Sequence, residues 1–258
     1  MAKVKKPSVF VSFNHSNTDF VDCLEPRLSK SAYVVRFEAE VPKWGSFKEF
    51  MDTIQAQDFA VLIISDAYLK SYACMYEVIQ AMSNPCWKEK TVFVLMQDCK
   101  PLSSTKIISY IHYWADKCLE LEASLKKLPK TSKGAMPKQL RTMKRIRDSI
   151  GDFLNDVADS NCPPIYTAIE EICARVGITP KAKFSKKAVK GASDSMKGFL
   201  IKSTLRSHGP MTVAEISEDL GITLQAARHY TRQLLDYNEI KAQRNNIATK
   251  GIKYSVLN

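Results

Sequence analysis

The sequence predicts an α/β protein, a parallel sheet covered by helices on both faces and followed by a small helix-turn-helix domain. Between Ser8 and Met96, apolar strand-like runs alternate with helical stretches in the order β-α-β-α-β-α-β. Such alternation specifies parallel strands joined by helical crossovers. Phe59 to Ile64 (FAVLII) is a six-residue apolar run, too short for a helix and rich enough in β-branched residues to be a strand buried on both faces. After Ser193 the pattern changes to three helical segments with a glycine between the second and third, which reads as a helix-turn-helix.

Ser8 to Phe13 (SVFVSF) is the first strand. The polar turn Asn14 to Thr18 caps a helix marked by Phe20, Leu24 and Leu28, which Pro26 is expected to kink. Tyr33 to Phe37 (YVVRF) is the second strand. The loop Glu38 to Ser46 carries Pro42 and Gly45 and exposes Trp44, and Phe47, Phe50, Met51 and Ile54 mark the next helix. Beyond the strand Phe59 to Ile64, Ser65 caps a helix with Asp66 favourable in its first turn. Tyr72, Met75, Tyr76, Ile79 and Met82 recur along it at helical spacing, and Glu77 falls off this stripe, which assigns it to solvent. Thr91 to Met96 is a fourth strand and Ile111 to Trp114 a short fifth.

From Lys117 to Gly134 the pattern loosens into a lysine-rich segment, and Lys138 to Ala158 is an amphipathic helix able to close the first domain. Ile165 to Val176 is a shorter helix, and Lys181 to Ser193 is a basic linker. The expected organisation is therefore residues 1–160, an intervening helix and linker at 161–192, and a terminal domain at 193–258. In that domain Met196 to Ser207, Thr212 to Leu220 and Thr223 to Tyr237 are helices. The second opens with a capping box of Thr212 and Glu215 and ends at Gly221. Glu239 to Ala248 and Gly251 to Leu257 pair as a terminal hairpin.

The totals fit one large or two ordinary globular domains: 258 residues, 45% hydrophobic. The net charge of +11 is uneven, with 14 Lys+Arg against 13 Asp+Glu up to residue 118 and 24 against 14 beyond it. A basic excess confined to one part suggests nucleic acid or another polyanion as that part's partner, or a solvated lysine-rich surface. Seven cysteines at irregular spacing show neither a disulfide framework nor metal-ligand pairs and are expected to be reduced. No window is apolar enough for a membrane span, and Met1 to Lys6 leads into a strand rather than a signal core, so a cytoplasmic location without membrane attachment is expected.

Five stretches in the first domain stand in a familiar order. They are VFVSF at Val9 to Phe13, the loop around Trp44, Gly45 and Ser46, VLIIS at Val61 to Ser65, YLKS at Tyr68 to Ser71, and Cys74 followed three residues later by Glu77. Together they resemble a TIR (Toll/interleukin receptor) domain of the bacterial and plant-type branch, a flavodoxin-like fold, over about Ser8 to Ala158. The family often has Trp immediately before the cysteine, and this chain has Ala73. The terminal domain resembles the winged helix-turn-helix of bacterial transcription regulators, with the hairpin as wing.

Many TIR domains of that branch cleave the bond between nicotinamide and ribose in NAD, and the resemblance puts the catalytic glutamate at Glu77. NAD is then substrate, and neither cofactor nor metal is called for. Nicotinamide leaves as a neutral molecule from a cationic pyridinium, so no general acid is needed, and a single carboxylate suffices to stabilise the oxocarbenium-like ribose. The same resemblance makes Phe13, Trp44, Ser46 and Cys74 candidates for the substrate wall. Phe13 is equally readable as core, Trp44 as a contact to a neighbouring TIR domain or to its own loop, and Cys74 as buried packing rather than a nucleophile. Self-association through the TIR domain, a role in antiphage defence and control by the winged helix are further implications. On the terminal domain, Gln225, Arg228, His229 and Arg232 fall along the expected recognition helix, and Arg244 and Lys250 on the wing. A protein-binding or dimerising winged helix is the alternative there, and a non-enzymatic scaffold with a DNA-binding tail is the alternative for the whole chain.

Overall fold

Four strands, β1 (Ser8–Ser12), β2 (Tyr33–Val35), β3 (Phe59–Ile64) and β4 (Thr91–Leu95), form one parallel sheet in the order β2-β1-β3-β4. The computed structural model describes residues 6–29, 31–36, 53–163, 168–177, 192, 194–243 and 252–256. Two compact units emerge from it, one of Met1–Asn17 with Tyr33–Pro163 and one of Thr18–Ala32 with Pro164–Asn258.

In the first unit β1 lies between β2 and β3, so the chain leaving β1 and the chain leaving β3 depart to opposite sides. In open parallel sheets such a reversal between neighbouring strands marks, at their carboxyl ends, the place where ligands bind. Alternate residues on both faces of the inner strands are buried, Val9, Val11, Val61 and Ile63 on one and Phe10, Leu62 and Ile64 on the other. This is why the strands read as unbroken apolar runs.

Ser65 caps the helix after β3 by accepting from the Tyr68 amide at 3.1 Å, but this helix, α2 (Asp66–Lys70), lasts barely a turn. Ser71 then adopts an extended conformation and caps a second helix, α3 (Tyr72–Met82), where the sequence predicts one unbroken helix. The interruption has a cause in α4 (Ser104–Lys126). Trp114 Nε1 donates to the Leu69 carbonyl at 2.9 Å and Tyr113 to the Lys70 carbonyl at 3.2 Å, supplying partners for α2 carbonyls that lack helical ones.

The predicted fifth strand, Ile111 to Trp114, is therefore wrong: these residues lie in the middle of α4, whose buried residues Ile107, Tyr110, Trp114 and Cys118 recur at helical spacing. A short aromatic and β-branched run is ambiguous between strand and helix by pattern alone. The lysine-rich segment beginning at Lys117 is likewise helical as far as Lys126, and α5 (Met136–Asp159) packs beside it with Ile146, Ile150, Phe153 and Leu154 fully buried. The predicted helix over Phe47 to Ile54 lies outside the described residues except for its end, where Thr53–Ala56 forms a 3-10 turn.

The second unit contains α1 (Thr18–Leu28), α6 (Ala168–Arg175), α7 (Asp194–His208), α8 (Val213–Leu220) and α9 (Leu224–Asp236). It also holds an antiparallel sheet of β5 (Met211–Thr212), β7 (Lys253–Val256) and β6 (Ile240–Gln243), in the order β5-β7-β6. The Thr212 and Glu215 capping box forms, and Gly221 closes α8 in the left-handed region at φ 64°. Pro26 sits near the end of α1, inside the helix. Phe20 of α1 meets Phe199 of α7 at 5.8 Å between ring centroids. The buried Arg27 pairs with Glu170 of α6 at 2.8 Å, and Ser203 of α7 donates to the same carboxylate oxygen at 2.8 Å. The linker expected over Lys181 to Ser193 lies outside the described residues apart from Ala192.

Ser71→Ala should lower stability by about 1 kcal/mol, the usual worth of an N-cap, read as a lower midpoint in urea denaturation, and Ser71→Asp should recover most of it. An unchanged midpoint in the alanine variant would remove Ser71 as the start of α3.

Candidate active site

The helix α3 is buried on two faces rather than one. Met75, Tyr76 and Ile79 form the expected face, and Cys74, Glu77, Val78 and Ala81 form a second at spacings of three and four residues. Glu77, assigned by periodicity to solvent, is thus 7% exposed. The signal for this lay in the small and apolar residues flanking it at helical spacing, which carry no stripe of large side chains.

The second face packs on the carboxyl end of β1. Ser12, the last residue of that strand and itself buried, donates its hydroxyl proton to Glu77 Oε2. With Glu77 ionised that proton is committed, and the 2.7 Å contact between Ser12 Oγ and the Tyr68 hydroxyl then has Tyr68 as donor. The order is Tyr68 O–H to Ser12 O–H to the Glu77 carboxyl. One turn earlier on α3, the Cys74 thiol lies 3.6 Å from the Phe13 carbonyl, closing the strand end against the helix.

Burial pushes the Glu77 carboxyl up to about 7, against which the Ser12 hydrogen bond works in the opposite direction. Tyr68 is raised well above its ordinary value, first by burial and then by the neighbouring Cys74 and Glu77. Burial also pushes the Cys74 thiol up to about 12, so it stays protonated, which fits packing and not nucleophilic attack. Glu77 is the group here that changes charge near neutrality.

Of the residues expected to form the substrate wall, the structure brings Cys74 and the Phe13 backbone to Glu77, while the half-buried Phe13 ring stands edge-on to His15 at 6.4 Å. Trp44 and Ser46 lie outside the described residues. Ser12 and Tyr68 were assigned no role by sequence, although both sit in the stretches that carry the family resemblance. Among the described residues, no three His, Cys, Asp or Glu side chains gather as a metal site. A shallow cleft bounded by Ile54, Ala60, Trp87 and Thr91 lies at the amino ends of β3 and β4, remote from this chemistry.

Residues 9–128 match the family model of the TIR domain. The TIR segment thus contains β1 to β4 and α4, and with them Ser12, Tyr68 and Glu77, while α5 follows it. No match was found among curated proteins or solved structures. TIR domains self-associate, and in bacteria they often cleave NAD. No helix among the described residues is long and apolar enough to cross a membrane.

In the second unit Gln225, Arg228, His229 and Arg232 are all exposed and share one face of α9 at spacings of three and four residues. Arg244 and Lys250 lie outside the described residues.

A carboxyl raised from 4.5 to about 7 on folding retains its proton in the native state where the unfolded chain has lost it. Its contribution to stability is full below pH 4.5 and is lost as pH rises to about 7, a change of about 3 kcal/mol. Glu77→Gln should abolish that decline. Urea denaturation at pH 5 and pH 8 should show the variant gaining on the parent by about 2.5 kcal/mol at the higher pH, and equal pH dependence in the two proteins would contradict a buried Glu77 with a raised pKa.

Proposed function

We propose that the protein is a TIR enzyme that consumes NAD, releasing nicotinamide by hydrolysis or cyclisation, with Glu77 as its catalytic carboxylate. The observation that carries the reading is the buried Glu77 carboxyl at the carboxyl end of β1, inside the TIR segment and held by a hydroxyl on one oxygen. As the C–N bond between ribose and nicotinamide breaks, its electron pair passes to the ring nitrogen, and nicotinamide leaves neutral. The positive charge moves to the ribose, where an ionised Glu77 stabilises it. Water then completes hydrolysis with loss of a proton, or a nitrogen of the adenine closes a ring. Phe13, Trp44, Ser46 and Cys74 are proposed as the substrate wall.

The second unit is proposed to be a winged helix-turn-helix that controls this activity by binding DNA or a protein trigger. Unregulated NAD cleavage is toxic, which suits an effector of bacterial antiphage defence. The rival is a non-enzymatic TIR scaffold with a DNA-binding regulator, which the exposed face of Gln225, Arg228, His229 and Arg232 also suits.

Purified protein, forced to self-associate and supplied with candidate triggers, should release nicotinamide from NAD, and Glu77→Ala should lower the rate by at least about 100-fold. Because the ionised carboxylate is the active form, kcat/KM should fall as pH drops through about 7. Indistinguishable parent and variant would leave the scaffold reading standing. For the second unit, Arg228→Ala with Arg232→Ala should weaken duplex binding and flatten its salt dependence, each lost phosphate contact reducing the slope by about 1. Unchanged binding would point to a protein partner.

A further inference from the structure

We infer that Ser12 and Tyr68 are positioning residues for Glu77, a two-hydroxyl relay that fixes one carboxylate oxygen so that the other faces the substrate. The inference rests on the proposed reaction for its catalytic consequence, but on hydrogen-bond geometry for its existence.

A glutamate on a helix has three rotatable side-chain bonds and, left alone, presents its carboxylate in many directions. Here Oε2 is taken by the Ser12 hydroxyl, and Oε1 makes no hydrogen bond to a described residue. Ser12 is held in place by its position at the end of β1, in register with Leu62, and by the 2.7 Å contact of its hydroxyl with that of Tyr68. Tyr68 is fully buried and stands on α2, whose start is capped by Ser65 and whose end is held by Trp114 and Tyr113. Each donor is thus fixed by an element that does not include Glu77. An anchored carboxylate needs little reorganisation when charge appears on the ribose, and this is where preorganised groups contribute most to rate.

The titratable side chains facing Glu77 among the described residues are Tyr68 from α2 and Cys74 from its own helix, both held in the neutral form. Ser12 is then the group through which the surroundings act on the ionised carboxylate. Removing it takes away a bond that favours the charged form and also frees the side chain to rotate.

The test compares Ser12→Ala, Ser12→Thr and Tyr68→Phe with the parent in steady-state nicotinamide release across pH. Ser12→Ala should lower kcat by about 30-fold, somewhat less than the loss of a donor that touches the reacting atoms, with KM nearly unchanged and the acidic limb of kcat/KM moved to higher pH. Ser12→Thr, which keeps the hydroxyl, should restore most of the rate. Tyr68→Phe should shift both quantities the same way by less. Parental kcat in folded Ser12→Ala, or a threonine variant as impaired as alanine, would overturn the relay.

Should the parent release no nicotinamide, the enzyme reading fails while the relay is still read directly. The Glu77 carboxyl carbon, followed by NMR in protein labelled at glutamate and assigned by its loss in Glu77→Gln, should titrate at higher pH in Tyr68→Phe and Ser12→Ala than in the parent. An unmoved titration would sink the relay whatever the fate of NAD.

Discussion

A carboxyl group withdrawn from water sets the terms for this structure. Ionised and unpaired, such a group is expensive to bury, and the fold answers in two ways: Glu77 takes up a proton more readily, and its charged form retains one strong donor in Ser12. The donor is itself useful only if held. That requires β1 to end at Ser12 and Tyr68 to approach from α2. The break at Ser71 and the Trp114 and Tyr113 bonds to the end of α2 belong to the same requirement, because together they set where Tyr68 stands and where α3 restarts.

A carboxyl poised near neutrality also responds to its ligand. On the proposed reading, the pyridinium of NAD brings a fixed positive charge toward a group balanced between acid and carboxylate, and an adjacent cation shifts that balance to the charged form. Substrate would thereby favour the ion that the reaction needs, and an empty site would retain a neutral side chain more readily. The same property makes the site sensitive to anything that opens it to water, since hydration removes the cause of the raised pKa.

Much of the first unit was legible from the chain. The four parallel strands appear where continuous apolar runs put them, and Ser65, Thr212 and Gly221 act as the caps their positions suggest. Three features were not, for separable reasons. Ile111 to Trp114 has the composition of a strand, and its helical identity shows only over the longer window of Ile107, Tyr110, Trp114 and Cys118; its partners at Leu69 and Lys70 are distant in sequence. The break at Ser71 has the same origin. Glu77 was misplaced because periodicity weighs large apolar side chains and overlooks a second face built from Cys74, Val78 and Ala81. Its candidacy as the catalytic carboxylate came from the ordered stretches around it, and its environment came only from the fold.

The pairing of Arg27 with Glu170 spans 143 residues, and it has a meaning for the nascent chain. Helix α1 is made early, yet α7, whose Phe199 meets Phe20, follows it by well over a hundred residues. At about 5–20 residues per second, the ribosome leaves that apolar face without its partner for on the order of ten seconds. Over that interval the early segment is a ready target for chaperones or for the corresponding segment of another chain. A cut placed after Pro163 would make the exposure permanent, since the second unit draws on both sides of it. The second unit, which joins Thr18–Ala32 to Pro164–Asn258, is therefore not obtained by a single cut between the two.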